Sequence, residues 1–312
     1  MAHRYGPQSA MSEPLAFFRG EMVPASQARL AIYDAGIVMG ATVTDMVRTF
    51  RQKLFRLDDH LDRFFDSLAA VGFDIGLSRT ELHDQLVRLV DHNAGLIEAN
   101  KDLSLCMFAT AGELTRYAGG ASACPSPTMC AHTFPLAFEL WAAAIQTGAQ
   151  VVTPDIRQIP AATLDPAIKH RSRLHYYLAG KQAEEIAAGS LPLLLDQDGY
   201  VTETVGANIL VVIDGTIVSP SAEKTLKGVS LKVVGELASQ LAIPMEFRDL
   251  TVDAVAAADE VFLASTPYCL LPVTQINGSV IGNGRPGPIL GTLIGAWNEL
   301  VGIDIHQQII EA

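Results

Sequence analysis

The chain has 312 residues, of which 49% are hydrophobic and 18% are charged, a composition typical of a globular protein. Its formal net charge of −12 argues against nucleic acid or an anionic membrane as a partner, because phosphate contacts need clustered Lys and Arg. The sequence shows no membrane-length apolar run, no signal-peptide core and no metal-binding spacing among its four cysteines. We therefore expect a cytoplasmic protein with reduced thiols and no metal ion.

The first half of the chain predicts a small α+β domain over residues 15–136, after a polar, flexible leader at residues 1–14. Alternating apolar residues indicate strands, and apolar residues at helical spacing indicate helices. A capping box at Ser78 and Glu81 marks the start of one helix. The predicted strands are 16–24 (two strands around a glycine turn), 28–34, 43–50 and 103–111; the other helix is 59–68, and 112–128 is a loop.

The second half predicts a larger domain over residues 148–312, joined to the first by a linker at residues 137–147. Short strands lie between turn signals, such as the one at residues 196–199. Helices are predicted at 176–189, 228–241 and 287–301. Because strands and helices do not alternate regularly, the fold class is α+β with a second domain that is α+β or barrel-like.

Lys169 and Glu203 lie in settings that favour chemistry, although a solvated lysine and a strand-edge glutamate are the ordinary alternatives. Lys169 follows a run that reads as β-type, and His170, Arg171 and Arg173 come soon after it. Cationic neighbours and partial desolvation make a lysine amine available to form a Schiff base. Glu203 lies among apolar residues, where a carboxylate is costly unless it has a partner. A pyridine nitrogen kept protonated by this carboxylate is one such partner.

A helix start at residues 226–230 predicts an anion site, because first-turn amides and the helix dipole attract phosphate. Residues 265–266 follow a predicted strand and offer hydroxyl and amide donors, and an arginine in the first half offers positive charge. Together these groups predict a site for pyridoxal 5′-phosphate. The residues predicted to bind it are Arg63, Lys169, Glu203, Val229, Ser230, Ser265 and Thr266.

Motifs spread along residues 16–300 resemble the class IV, fold-type IV pyridoxal-phosphate aminotransferases, the family of branched-chain and D-amino-acid aminotransferases. Three matching segments carry groups that hold the cofactor ring: Lys169 is the Schiff-base lysine, residues 198–208 carry the glutamate of the pyridine nitrogen, and Leu226 is the leucine that packs on the ring. Three others bind the phosphate: residues 55–63 form the helix with the phosphate-binding arginine, residues 226–230 form the phosphate turn, and residues 265–266 make the last phosphate contact. Residues 282–288 match the loop before the final helix. The resemblance implies a small N-terminal domain, a larger barrel-like α+β domain that binds the cofactor, and a homodimer or a higher homo-oligomer.

One departure from the family pattern lies close to the lysine. Branched-chain enzymes usually carry a tyrosine five residues after it, which bonds the cofactor's phenolic oxygen, and Leu174 occupies that position here. Four neighbouring residues are candidates to replace the tyrosine: Arg173, His175, Tyr176 and Tyr177.

Other departures bear on the substrate. In the D-amino-acid enzymes a tyrosine stands at the position of Ile37, and an arginine–histidine pair binds the substrate carboxylate. Here Arg116 aligns with that arginine, but Ala118 replaces the histidine, while Arg48 aligns with a strand arginine of branched-chain enzymes. The resemblance therefore implies Ile37, Arg48 and Arg116 as substrate contacts. An apolar pocket wall is indicated by Ile37, Met39, Val43 and Phe108.

The predicted reaction is transamination, by a ping-pong mechanism, between an apolar amino acid of branched-chain type or an amine and a 2-keto acid. Lys169 is the predicted proton carrier, and Glu203 maintains the electron-withdrawing state of the cofactor ring. The alternatives are a D-amino-acid or (R)-amine transaminase and a lyase of the aminodeoxychorismate type on the same scaffold. A protein that binds the cofactor without catalysis is disfavoured because both residues are present.

Overall fold

The structure, a computed structural model, describes residues 13–120 and 126–311. The chain divides into two compact units, Met1–Leu136 and Ala137–Ala312. Residues 1–12, most of the predicted leader, lie outside the described residues, as does Cys124. Each unit combines helices with sheets, and the strands do not alternate regularly with helices, which confirms the predicted α+β class. None of the described helices is both long and apolar enough to span a membrane.

The first unit is built on one antiparallel sheet with helices packed on it. Its elements are β1 (Leu15–Phe18), β2 (Glu21–Pro24), α1 (Ala35–Val38), β3 (Thr42–Phe50), β4 (Lys53–Leu54), α2 (Leu57–Val71), α3 (Arg79–Ala94), β5 (Leu103–Thr110) and β6 (Thr128–Pro135). The strand order is β2-β1-β6-β5-β3-β4. Strand β5 is buried along its whole length, which agrees with its continuous apolar sequence.

Two helix predictions in this unit are confirmed by their local chemistry. Leu61, Phe64 and Leu68 are buried at helical spacing on α2. The capping box at the start of α3 is present, since Glu81 N donates to Ser78 Oγ at 3.2 Å and Ser78 N donates to Glu81 Oε2 at 2.8 Å. Both helices therefore form where short-range sequence signals place them.

The strand predicted at residues 28–34 is wrong. This segment is irregular, and Ile32 is 86% exposed, so its alternating pattern does not produce a buried face. Asp34 is instead the N-cap of α1, where its Oδ1 accepts a hydrogen bond from Gly36 N at 2.7 Å. The carboxylate satisfies the start of a short helix, which competes with extension of the strand.

The second unit contains a nine-stranded sheet and the remaining helices. Its strands are β7 (Ala149–Val152), β8 (Leu191–Leu195), β9 (Val201–Thr204), β10 (Asn208–Ile213), β11 (Thr216–Ser219), β12 (Met245–Phe247), β13 (Glu260–Ser265), β14 (Cys269–Ile276) and β15 (Ser279–Val280). Its helices are α4 (Ala142–Thr147), α5 (Leu174–Ile186), α6 (Val229–Gln240), α7 (Val252–Ala256), α8 (Pro288–Val301) and α9 (Ile305–Ile310). The helices predicted at 176–189, 228–241 and 287–301 correspond to α5, α6 and α8.

Six strands of this sheet close on themselves, which confirms the barrel-like prediction. The order runs β12-β11-β10-β13-β14-β7-β8-β9, and β9 also pairs with β10 where Glu203 lies opposite Asn208. The ring is therefore β10-β13-β14-β7-β8-β9. Because closure occurs at Glu203, this residue belongs to the barrel wall and its position is set by the pairing of β8 and β10 with β9.

The turn between β8 and β9 determines how the chain enters β9, the strand that carries Glu203. Asp196 accepts backbone hydrogen bonds from Asp198 at 3.0 Å and Tyr200 at 2.8 Å, and Gly199 has φ +89°, a region that favours glycine. Lys224 Nζ lies 2.8 Å from Asp196 Oδ2, which ties the turn to the segment before α6. The turn signal read from the sequence is thus confirmed.

Candidate active site

The buried carboxylate of Glu203 is the centre of a hydrogen-bonded cluster. Its Oε1 accepts from Tyr176 Oη at 2.8 Å and from Gln158 Nε2 at 2.9 Å, and its Oε2 accepts from Leu226 N at 3.2 Å. Burial raises the pKa of Glu203 above its usual range, and the hydrogen bonds together with the charges of nearby cations oppose this rise without cancelling it. Glu203 is therefore a partnered acid in an apolar setting, as the sequence predicts.

Lys169 lies in the same pocket as Glu203. The pocket lining includes Leu226, and it is formed by the loop around Lys169, the start of α5 and the end of β9. The expectation that Lys169 follows a β-type run is wrong, because residues 153–173 contain no regular strand. The half-buried lysine nevertheless acts electrostatically on Glu203, so the structure brings the predicted amine and acid together.

His170 offers a buried polar atom that has no partner among the described residues. Its Nδ1 is buried and makes no hydrogen bond within that part of the chain, and the side chain lines the pocket beside Lys169. Burial, followed by the positive charges of Arg173, His175 and Lys169, lowers the pKa of His170 to about 4. The imidazole is therefore neutral at pH 7, and a buried unpartnered nitrogen is expected to bond a group that enters the pocket.

The helix start predicted to bind an anion lies next to these groups. Asn208 Nδ2 donates to Leu226 O at 2.8 Å, which fixes the turn that leads into α6. A side chain on Gly228 would collide with Asn208 Oδ1, so the close approach of the two requires glycine. Val229 and Ser230 are buried in the first turn of α6, where helix amides lack intrahelical acceptors.

Ser265 and Thr266 lie at the end of β13, on the same side of the barrel as Asn208. Asn208 pairs with Ala264, the residue before Ser265, and Ser265 Oγ donates to Gly206 O at 2.6 Å. Thr266 follows at once and is half-buried. The structure thus gathers most of the residues predicted to bind the cofactor around the Asn208 end of β10.

Arg63, described within the first unit, is oriented by a buried acid. Its Nε and Nη2 donate to the two oxygens of Asp45 at 2.8 and 2.7 Å, and His60 Nδ1 lies 2.8 Å from Asp45 Oδ1. Burial alone would raise the pKa of Asp45, but Arg63 and His60 hold it well below its usual range. The Arg63 side chain is 11% exposed, so it differs from an ordinary solvated arginine on a helix surface.

We predict that Asp45→Asn lowers the free energy of unfolding at pH 7 by roughly 3–5 kcal/mol, because it leaves two buried partners without their counter-charge. Because the pKa of Asp45 is lower in the folded state than in the unfolded state, its ionised carboxylate stabilises the fold above about pH 4. This stabilisation is lost as the pH falls further. The difference between wild type and variant should therefore shrink from pH 7 to pH 3 in urea titrations.

The matched control is Asp66→Asn, since Asp66 is exposed on the same helix as Arg63. It should change the free energy of unfolding by no more than about 0.5 kcal/mol. An Asp45→Asn protein as stable as this control at pH 7 would contradict the account of the cluster.

The predicted substrate contacts occupy different settings within the first unit. Arg48 is buried, with Nη2 3.8 Å from Asp102 Oδ2 and its guanidinium 3.8 Å from the centre of the Phe50 ring. Arg116 is exposed in a short 3-10 turn, Thr115–Ala118. Ile37 is 63% exposed on α1. The structure therefore presents Arg116 and Ile37 at a surface and ties Arg48 to the core.

Of the apolar residues predicted to form a pocket wall, two lie at the surface of this unit and two lie in the sheet. Ile37 and Met39 are exposed, and Val43 and Phe108 are buried in β3 and β5. The exposed pair lies on and just after α1, and the buried pair belongs to the core.

The residues present fit pyridoxal 5′-phosphate. The site offers a lysine amine, a buried acid for the ring nitrogen, a half-buried leucine, an orphaned imidazole nitrogen and a helix N-terminus for the phosphate. Two residues of the setting, Gln158 and Asp45, were not found from the sequence. Asp45 is a carboxylate on a buried strand, and because a buried charge needs a partner, its sequence position could have indicated a cationic neighbour. Nothing in the sequence around Gln158 indicates its contact with Glu203.

This fold and site define an enzyme that binds pyridoxal phosphate on a closed barrel, and the known proteins of similar sequence agree. Residues 42–276 match the family model for amino-transferase class IV. The chain is 32% identical to a D-alanine aminotransferase of Bacillus licheniformis over 87% of its own length and 92% of that protein. It is 31% identical to branched-chain-amino-acid aminotransferase-like protein 1 of Arabidopsis thaliana over 92% of its length, and spans 50% of that relative.

Among solved structures, a branched-chain amino acid aminotransferase from T.th. with pyridoxamine 5′-phosphate matches with TM-score 0.82 and 25% identity, over 93% of this chain and 94% of that one. The Escherichia coli branched-chain enzyme shares the fold with TM-score 0.85 at 24% identity, over 93% of this chain and 95% of that one. The chain belongs to the class IV aminotransferases. It is an aminotransferase of fold type IV, and its cofactor is pyridoxal 5′-phosphate.

Proposed function

We propose that the chain transfers an amino group between an apolar amino acid of branched-chain type and a 2-keto acid by a ping-pong mechanism. The observation that carries this proposal is the shared pocket of Lys169 and the buried, hydrogen-bonded Glu203. A lysine amine next to a partnered acid is the pair that transamination requires of the protein.

The two residues have separate roles. When bound, pyridoxal phosphate supplies a ring that withdraws electrons from the substrate Cα. Lys169 would hold the cofactor through its Nζ, and its amine would then move a proton from the substrate Cα to C4′ of the cofactor as general base and acid. Glu203 keeps the ring nitrogen protonated through its carboxylate, and the three hydrogen bonds that it accepts fix its position.

The phosphate group is assigned to the start of α6 and the residues around it. The amides of Val229 and Ser230 point along the helix dipole, and Ser265 and Thr266 offer donors at the end of β13. Leu226 lines the pocket and would pack against the ring of the cofactor. Arg63 aligns with the phosphate-binding arginine of the family and is the proposed source of positive charge; within the first unit, its two hydrogen bonds to Asp45 hold it in one orientation.

The preference for an L-amino acid of branched-chain type rests on the residues aligned with substrate contacts. Ala118 replaces the histidine of the arginine–histidine pair that holds the carboxylate in D-amino-acid enzymes, and Ile37 replaces their tyrosine. Arg116, which is exposed, is the proposed ligand of the substrate carboxylate, and Ile37 is the proposed apolar contact with the substrate. Transamination of D-amino acids is the second candidate, favoured by the 32% identity to the Bacillus licheniformis D-alanine aminotransferase.

To test the donor class, the holoenzyme is mixed with L-leucine, D-alanine and an (R)-amine in separate single-turnover experiments without an acceptor. We expect L-leucine to bleach the visible band of the lysine-linked cofactor at least about tenfold faster than the other two, a difference of about 1.4 kcal/mol in transition-state binding. Faster bleaching by D-alanine would move the assignment to a D-amino-acid enzyme. Release of pyruvate from aminodeoxychorismate, with no bleaching by any donor, would indicate a lyase.

We further propose that the enzyme works as a cytoplasmic homodimer. Buried thiols at Cys106, Cys130 and Cys269 support a reducing compartment. Large apolar side chains exposed on α5, at Leu174 and Tyr177, support a protein interface. Sedimentation of the purified holoenzyme at micromolar concentration should give the mass of two chains, and the mass of one chain would refute the dimer.

A further inference from the structure

The two oxygens of the Glu203 carboxylate have different partners. Oε1 accepts from two side chains, Tyr176 and Gln158, whereas Oε2 accepts from the Leu226 amide. An ionised carboxylate has about four acceptor sites, so these three bonds leave capacity for one more donor. A protonated ring nitrogen is a donor of that kind, and the two side chains determine how the carboxylate is turned.

The orientation of the Gln158 amide is fixed by its own contacts. Its Oε1 accepts from Ile159 N at 3.0 Å, so the opposite atom is Nε2, a donor. Nε2 lies 2.8 Å from Tyr176 Oη and 2.9 Å from Glu203 Oε1, which uses both of its protons. His175 Nε2 lies 3.1 Å from the same Gln158 Oε1 and must donate to it. His175 therefore donates to Gln158, and Gln158 donates in turn to Tyr176 and Glu203.

Tyr176 remains a donor throughout the working pH range. Burial, and next the charge of Glu203, raise the pKa of Tyr176 far above its usual range, so its hydroxyl keeps its proton. A tyrosine hydroxyl has one proton to donate, and here it is directed at Glu203 Oε1. The hydroxyl of Tyr176 therefore acts on the Glu203 carboxylate in this structure.

We propose that Tyr176 and Gln158 are positioning residues that hold Glu203 ionised and aimed at the ring nitrogen of the cofactor. This inference rests on the proposed role of Glu203. The charged groups that act on the carboxylate are Lys169 and Arg173, both from the segment that leads into α5. The tyrosine and the glutamine add neutral donors, which stabilise the charged form at a buried position without adding a further charge.

The test uses Tyr176→Phe, with Gln158→Leu as a second variant and Tyr117→Phe as the matched control. Tyr117 lies in the first unit, and its side chain is 58% exposed. The titration of the Glu203 carboxyl is followed by infrared difference spectroscopy of the cofactor-free protein, with Glu203→Gln as the reference. We expect its midpoint to rise by about one pH unit or more in Tyr176→Phe and in Gln158→Leu, and to stay unchanged in Tyr117→Phe.

In the holoenzyme, the acid limb of the kcat–pH profile should move to higher pH by the same amount in Tyr176→Phe, with KM for the donor little changed. A purely structural role would lower the amount of folded enzyme and leave that limb in place. An unchanged carboxyl titration in both variants would overturn the inference. A shifted visible band with an unchanged carboxyl titration would also overturn it, because Tyr176 would then bond the phenolic oxygen.

Failure of the inference is distinguishable from failure of the proposed function. If Glu203→Gln itself keeps the wild-type kcat, the role assigned to Glu203 fails, and with it this inference. If Glu203→Gln is impaired while Tyr176→Phe and Gln158→Leu behave as wild type, the inference alone fails.

Discussion

Replacing Lys169 with alanine is expected to lower kcat by about 10³-fold or more, because the variant loses the group that moves a proton between Cα and C4′. The visible band of the lysine-linked cofactor should disappear as well, since alanine offers no amine to hold it. Stopped-flow kinetics and the absorption spectrum of the reconstituted protein measure the two effects in one preparation.

Lys181→Ala is the matched control, because Lys181 is an exposed lysine on α5 of the same unit. It should keep both the band and the wild-type kcat. Circular dichroism would verify that each variant is folded. A Lys169→Ala protein that retains an unaltered band would show that another lysine holds the cofactor.

Replacing Glu203 with glutamine is expected to lower kcat by about 10²–10³-fold, the range seen when one preorganised electrostatic partner is removed from a reacting centre. Glutamine keeps the shape of the side chain but has no charge to keep the ring nitrogen protonated. The pH dependence of kcat tests the role of Glu203 independently. Because burial raises the pKa of Glu203, the wild-type kcat should fall as the pH drops through that raised value.

The acid limb of the kcat–pH profile should be absent in Glu203→Gln. Glu223→Gln, an exposed acid in the segment before α6, should keep the wild-type limb and rate. If Glu203→Gln has the same acid limb as wild type, a different group controls it, and the ring-nitrogen role is wrong.

Sequence reasoning found the parts of the site that depend on short-range signals. The turn at Asp196–Gly199, the capping box at Ser78 and the start of α6 each depend on residues within a few positions of one another, and all three are present in the structure. The largely apolar run at residues 103–111 likewise predicted β5, because a short apolar run is consistent with a buried strand.

Contacts between distant residues were not found in this way. Gln158 and Glu203 are 45 positions apart, and their contact follows from the closure of the barrel rather than from any local pattern. Asp45 and Arg63 are 18 positions apart on a strand and a helix, so their pairing depends on how α2 packs on β3. Arg48 aligned with a substrate ligand, although its environment is an ion pair in the core.

The segment before Lys169 shows a related limit. Its sequence reads as extended, but it forms a loop with isolated turns, because Thr163 N and Leu164 N donate to Pro160 O and Ile168 N donates to Asp165 O within the loop. The sequence therefore suggested a chemical role for this loop residue from its type and neighbours, but it did not indicate its backbone conformation.

Borohydride trapping identifies the lysine that holds the cofactor in the pocket with Glu203. Borohydride reduces the C=N bond between lysine and cofactor to a stable amine, and peptide mapping by mass spectrometry then locates the modified residue. We expect a phosphopyridoxyl group on the peptide that contains Lys169, with the other lysines unmodified. If another lysine is modified and Lys169 is not, Lys169 does not hold the cofactor.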